Sequence, residues 1–258
     1  MLDVIDDRVL GALRFVDATT GVAIRAPLRV TAPLARFIRN RTGAYAITWA
    51  AGLDAHVAQF QAPPSSPPLD SIPLSVAVSD PARRYLARSS SFRLPRDADP
   101  AQAAGEGSLF RAMAIPLYPS PIAPIDPGWA VVRASVRDQS GAALPGAYVR
   151  LRRASEPTSA DPPLARGMAD DRGEALIPVA GVPVTNWEAD DTRPVLSTEI
   201  EAVLEVYHDA SAGSPPDPDL IDSRRLLEPP DPHALSKTSV NVRLASGREL
   251  AVSVVITR

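Results

Sequence analysis

The side chains able to do chemistry in this chain are few and scattered. Its three histidines, His56, His208 and His233, stand far apart, and none has a second ligand at a metal-type spacing. No Gly-x-Ser-x-Gly nucleophile elbow accompanies them. Structural or surface positions account for all three. The rival is a hydrolase assembled in space from His208 and the acidic stretch that follows it. Carboxylates gather in Asp170-Asp171 with Glu174, in Glu188 with Asp190-Asp191, and in Asp217, Asp219 and Asp222. Calcium needs several oxygens from one loop, but Asp217-Pro-Asp219-Leu-Ile-Asp222 lacks the glycine and closing glutamate of an EF-hand. Solvated turns explain these acids, with Asp171 bonding turn amides. Glycine-rich phosphate loops are absent. No catalytic, cofactor-binding or metal residue is assigned, and no cofactor is expected. Of the three tryptophans, Trp49 and Trp129 fall at core positions. Trp187, in the polar stretch Val184-Thr-Asn-Trp187-Glu, is the candidate ligand contact. A sugar would stack on it if exposed; plugging one end of a domain is the bland alternative.

The elements that must carry these residues are short strands. The 258 residues are 45% hydrophobic, enough for a real core, and hold 28 prolines against 14 glycines. That balance suits many strands joined by stiff loops. Net charge is −3, which suggests no general affinity for nucleic acid. Arginine dominates the cations and Lys237 is the sole lysine, as in a GC-rich bacterial genome. There is no cysteine, so disulfides and thiolate metal sites are excluded. No apolar run approaches the roughly 20 residues of a membrane span. Met1-Leu-Asp-Val-Ile-Asp-Asp-Arg8 lacks the apolar core of a signal peptide. These features predict cytoplasmic synthesis, with release as part of an extracellular particle left open.

One phrase is written twice. Gly11-Ala-Leu-Arg-Phe-Val-Asp17 with Gly21, Ala26-Pro27-Leu-Arg-Val-Thr31 and Arg41-Thr-Gly43-Ala-Tyr45 parallels Ala130 to Asp138 with Gly141, Leu144-Pro145-Gly-Ala-Tyr148 and Asp171-Arg-Gly173-Glu-Ala175. Each copy reads strand, turn, proline, strand, turn, strand. The expected fold is all-β: two antiparallel β-sandwich domains, over 8–118 and 129–258. A proline-rich linker at 119–128 joins them, and a loop insertion occupies 209–236. Tyr45, Ile47 and Trp49 alternate onto one buried face. Leu109 to Tyr118 reads as an extended closing segment. Ile200, Ala202, Leu204 and Val206 share one face of a strand, opposite a half-solvated face of Glu199, Glu201, Val203, Glu205 and Tyr207. Ser239 to Leu244 and Leu250 to Ile256 read as a closing hairpin.

Val136-Arg-Asp138-Gln-Ser-Gly141-Ala-Ala-Leu144-Pro145-Gly-Ala-Tyr148-Val149 with Asp171-Arg-Gly173-Glu-Ala175 resembles the carboxypeptidase regulatory-like, or prealbumin-like, β-sandwich family. The second copy matches over about 50 residues; in the first, Pro27 stands where Pro145 does but no Gly-Ala follows. The resemblance implies a seven-stranded sandwich used as an accessory, adhesion or spacer domain, and no activity. Some relatives form Lys–Asn isopeptide bonds. Here the opening strands have no lysine, and Lys237 and Asn241 lie too close on one strand. The tandem is also similar to accessory components of phage-tail-like contractile injection particles.

These observations predict a non-enzymatic structural or protein-interaction module, an assembly or spacer subunit of a larger particle. The alternatives are a carbohydrate- or calcium-binding module and, second, a hydrolase. The expected partners are other protein subunits, without nucleic acid, membrane span, small-molecule ligand or glycan. The strand edges expected to meet a partner are marked by Leu109, Ile115, Leu250 and Ile256.

Overall fold

The computed structural model describes residues 8–58, 66–155, 162–182, 185–186, 195–196, 199–224 and 235–257. It is mostly β, with 46% strand and 7% helix, as the sequence predicts. The chain divides into two compact units. The first comprises Met1–Asp17, Val22–Pro81 and Ala87–Leu117; the second takes in Ala18–Gly21, Ala82–Leu86 and Tyr118–Arg258.

The first unit carries β1 (Gly11–Asp17), β2 (Arg29–Thr31), β3 (Ala35–Arg39), β4 (Tyr45–Ala50), helix α1 (Asp54–Ala58), β5 (Ile72–Ser79), β6 (Arg88–Leu94) and β7 (Met113–Leu117). They form two sheets, ordered β3-β4-β1-β7 and β2-β5-β6. Gly11, Leu13 and Phe15 alternate inward along β1, and Leu74, Val76 and Val78 do so along β5. The Phe15 and Tyr45 rings meet edge to face at 5.4 Å. The Tyr45 hydroxyl donates to Leu28 O at 2.9 Å and accepts from Leu28 N at 2.7 Å, pinning the chain as it enters β2.

The second unit carries β8 (Ala130–Asp138), β9 (Tyr148–Arg153), β10 (Ala165–Met168), β11 (Glu174–Val179), β12 (Thr185–Asn186), β13 (Val195–Leu196), β14 (Ile200–His208), helix α2 (Pro218–Arg224), β15 (Ser236–Leu244) and β16 (Glu249–Ile256). Its main sheets are β11-β8-β16 and β10-β9-β14-β15, beside a two-stranded β12-β13 ladder. The core lies between the main sheets. Val132, Val136, Ile177 and Ile256 from one meet Val149, Leu151, Leu204 and Leu244 from the other. Each such side chain contributes about 1.5–3 kcal/mol by leaving water.

The two units share one strand connectivity, except that the third strand changes sheets: β3 joins the sheet of β1, whereas β10 joins that of β9.

Several expectations need correction. The sheets are not purely antiparallel, because the last strand of each unit runs parallel to the first: β7 beside β1, and β16 beside β8. β15 and β16 are no hairpin. Ala245 to Arg248 carry the chain from one sheet to the other, so β15 pairs with β14 and β16 with β8. Of Leu109 to Tyr118 only Met113–Leu117 is a strand, and Leu109 lies in a turn. The 209–236 insertion contains α2, while 225–234 lie outside the described residues. Pro119 and Ser120, read as linker, are buried, as is Tyr118 before them; Tyr118 and Ser120 bond to Leu86 and Arg84 within the second unit.

Turn chemistry follows the sequence closely. Asp138 Oδ1 accepts from Ser140 N at 2.9 Å and Ala142 N at 3.0 Å; Asp170 Oδ1 accepts from Arg172 N and Glu174 N, both at 2.9 Å. The turn acceptor is therefore Asp170, and not Asp171. Gly141 and Gly173 close these turns at φ of 84° and 77°. Their surroundings differ. A Cβ at Gly141 meets open space, whereas one at Gly173 comes within 2.5 Å of the Val136 carbonyl oxygen. Gly141→Ala is expected to cost about 1 kcal/mol, the conformational term alone. Gly173→Ala is expected to cost about 3 kcal/mol or more, because backbone has to move as well. Urea midpoints of the two variants check this; equal shifts would refute the crowding at Gly173.

Candidate functional site

Sheet edges, a cleft and a buried ion cluster are the features that chemistry or recognition can use. The edges come first. β7 and β16 occupy equivalent edges of their sheets but are built differently. β7 carries Pro116, which has no N–H, and the guanidinium of the fully buried Arg88 donates to the Pro116 carbonyl at 2.8 Å. Both features blunt an edge against strand addition. Ile115, a predicted contact, is buried at its centre.

β16 has neither device. After Glu249 it reads Leu250-Ala-Val-Ser-Val-Val-Ile256, without charge or proline. Val131 N donates to Arg248 O at 2.9 Å. In a parallel ladder the even-numbered residues therefore turn their peptide groups to β8, and Ala251, Ser253 and Val255 turn theirs away. Among the described residues β16 pairs with β8 alone. Leu250 is half-buried, Ile256 is fully buried, and Val255 is exposed.

In the first unit a cleft of about 800 Å³ opens where β2 and β3, each a sheet edge, adjoin α1. Its key side chains are Arg36, Phe37, Thr48, Trp49 and Asp54. Trp49 is half-buried rather than in the core, and the cause is a β-bulge. Phe37 pairs with Ile47 but Arg36 pairs with Trp49, leaving Thr48 as the extra residue. The extra residue reverses the alternation. Tyr45, Ile47 and Ala50 point inward, and Trp49 turns out. The Arg36 guanidinium carbon lies 5.3 Å from the Trp49 ring centroid, and the indole Nε1 donates to Asp54 Oδ1 at 3.2 Å. Trp129 is likewise half-buried, following a turn closed by its amide on Asp126 O. Trp187 lies outside the described residues.

The predicted half-solvated face of β14 is covered. Glu201 is exposed, but Glu205 and Tyr207 are buried. Tyr118, Tyr148, Met168 and Tyr207 cluster with Ile221 of α2, so the insertion supplies part of the cover, beside Ala18 and Leu86. Register places Glu205 opposite Arg150 of β9, and Tyr207 opposite Lys237 of β15. Arg150 Nη1 donates to Glu205 Oε2 at 3.1 Å and Arg152 Nε to Oε1 at 3.2 Å; Lys237 Nζ stands 3.8 Å from Oε1. Burial resists charging Glu205, but the Arg152 and Arg150 bonds and the Lys237 charge outweigh it and hold its pKa below the usual value. Tyr148, in the same cluster, is pushed up, chiefly by burial and then by Tyr118.

His56 sits in α1, where burial and the charge of Arg8 lower its pKa; His208 is buried at the end of β14; His233 is outside the described residues. Asp217 accepts from Asp219 N at the start of α2, while Asp222 stands 3.8 Å from Arg166. Glu188, Asp190 and Asp191 are outside the described residues. Among the described residues no three His, Asp or Glu side chains converge to hold a metal ion, and no helix is long and apolar enough to cross a membrane. The cleft gathers Thr48 and Asp54 with no histidine. The chain matches no protein-family model and no curated protein.

Because the folded state holds Glu205 below its unfolded pKa, its stabilisation is complete above about pH 4.3 and fades as pH falls through the folded value. Glu205→Gln is therefore expected to lower stability by about 3 kcal/mol at pH 7, leaving Arg150 buried without its counter-charge. The gap to the wild type should narrow toward pH 3. The double change Arg150→Met with Glu205→Leu should restore most of the loss. Urea unfolding from pH 3 to 7 checks both; a gap that does not depend on pH would refute the assignment.

Proposed function

We propose that the protein is a non-enzymatic interaction module of two β-sandwich domains in tandem. It serves as an assembly or spacer subunit of a larger protein particle, such as a phage-tail-like contractile injection system. The observation that carries this reading is the contrast between β7 and β16: one edge is blunted by Pro116 and Arg88, and the other is left uncharged with peptide groups facing outward. An edge of that kind gains main-chain hydrogen bonds from an added strand, with alternate side chains setting specificity. The first-unit cleft holds no histidine, which weighs against the hydrolase alternative there.

A native pull-down from the source organism, read by mass spectrometry, is expected to recover tail, sheath or baseplate-type proteins. Ser253→Pro deletes an outward N–H and Ala251→Lys adds charge to the edge. Either should cut recovery about tenfold, or ~1.4 kcal/mol, with an unchanged far-ultraviolet circular dichroism spectrum. A clean monomer that recovers no protein and binds a glycan array through Trp187 would overturn the proposal.

A further inference from the structure

We infer that the cleft of the first unit receives an extended acidic segment of a partner protein, laid along the open edge of β3. This rests on reading the protein as an interaction module and adds the chemistry of what it binds. Three observations converge. β3 pairs with β4 alone among the described residues, so its other side presents free main-chain groups where the cleft opens. The edge is apolar as well: Leu34 is 53% exposed and Ile38 54%, a cost that a monomer gains nothing from. The charge along it has one sign. Arg36, Arg39 and Arg41 follow each other on or just past β3, and Arg36 has no carboxylate partner among the described residues. Asp54, the carboxylate lining the cleft, already accepts from the Trp49 indole.

These features select among ligand classes. A sugar stacks on a free aromatic face, but here the Arg36 guanidinium stands over the Trp49 ring. A phosphodiester backbone would leave Leu34 and Ile38 without partners. A peptide strand satisfies everything present: its backbone meets the β3 edge, an acid meets Arg36, and apolar side chains cover Phe37 and Ile38. The Arg36–Trp49 stack holds the guanidinium in place before the guest arrives, which lowers the ordering cost of the ion pair.

The test measures fluorescence anisotropy of a labelled eight-residue peptide repeating valine-aspartate-valine-valine, in which aspartates and valines alternate along one face, titrated with the full chain. A matched peptide with lysine for aspartate is the control. The aspartate peptide is expected to bind, more weakly at higher salt, and the lysine peptide to bind at least tenfold less. Arg36→Glu and Ile38→Asp, both at exposed side chains, should each weaken binding about tenfold while circular dichroism and thermal unfolding stay unchanged; Arg36→Lys should retain part of it. Equal binding of the two peptides, or indifference to Arg36→Glu, would refute the inference. So would glycan binding lost on Trp49→Ala. Peptide binding that appears only after residues 1–7 are removed would assign the cleft to the chain's own terminal segment and also refute it. If the peptide fails while particle proteins are still recovered in a β16-dependent way, this inference falls alone. If both fail, the interaction reading falls with it.

Discussion

Each unit is closed by pairing its first strand with its last, and the architecture of both units depends on that pairing. β1 lies between β4 and β7, and β8 between β11 and β16. The opening strand is central, so its partner must arrive from the far end of the unit. Leu13 pairs with Met113, and Val131 with Glu249. Contacts of such long range carry a loop-closure cost before they return any stabilisation, which tends to slow folding. They also determine where the unit stays open. The final strand, lying on the outer side of the opening strand, has no later strand of its own unit to cover it. The final strand is therefore an edge by construction, and its sequence decides whether that edge is closed or available. β7 is closed by Pro116 and Arg88; β16 is not.

The buried ion cluster shows the opposite economy, since polar groups are used inside rather than at an edge. Tyr148, Arg150 and Arg152 line the outer face of β9, across from Glu205 and Tyr207 of β14. Left in water, such a face would give surface ion pairs worth little. Covered in part by Ile221 of α2 and its neighbours, it becomes a cluster in which the buried Glu205 carboxylate meets the buried Arg150 guanidinium, with the more exposed Arg152 and Lys237 at its margin. Burial raises the cost of mispairing more than it raises the gain from pairing. A strand slipped by one residue would send Arg150 into the aliphatic core and Val149 out of it. The cluster thus makes the β9–β14 register exacting, in addition to whatever stability it contributes.

What the sequence discloses is what is local. Asp138 with Gly141, and the Asp170 to Gly173 turn, are legible because an acid that binds amides two and four residues on, with a glycine at positive φ, is one short chemical statement. Even there a single residue matters, since Asp170 and Asp171 look alike in sequence and only one faces the turn. The strand alternations of β1, β8 and β14 are likewise legible. What escapes is non-local. The pairing of β16 with β8 rather than β15 depends on which sheet the chain enters after Ala245, and the alternation of Val254 and Ile256 reads the same for either partner. The burial of Tyr148 and Tyr207, the neighbours of Glu205, depends in part on an insertion folding back as α2. Its trace in the sequence, Tyr-x-Arg-x-Arg facing Glu-x-Tyr, becomes readable only once the two strands are known to pair.

Trp49 shows how a small irregularity redirects a reading of function. Strict alternation from Tyr45 and Ile47 puts it in the core, and one extra residue at Thr48 puts it in a cleft. Bulges sit where a strand must re-aim a side chain, and this one aims an indole at Arg36 on the neighbouring edge strand. A core tryptophan would have contributed more burial. Placed outside, it orders a guanidinium that has no carboxylate partner among the described residues, beside apolar side chains that water does not favour. Such an arrangement adds little to the stability of its own unit, and its physical use is to lower the cost of receiving something else.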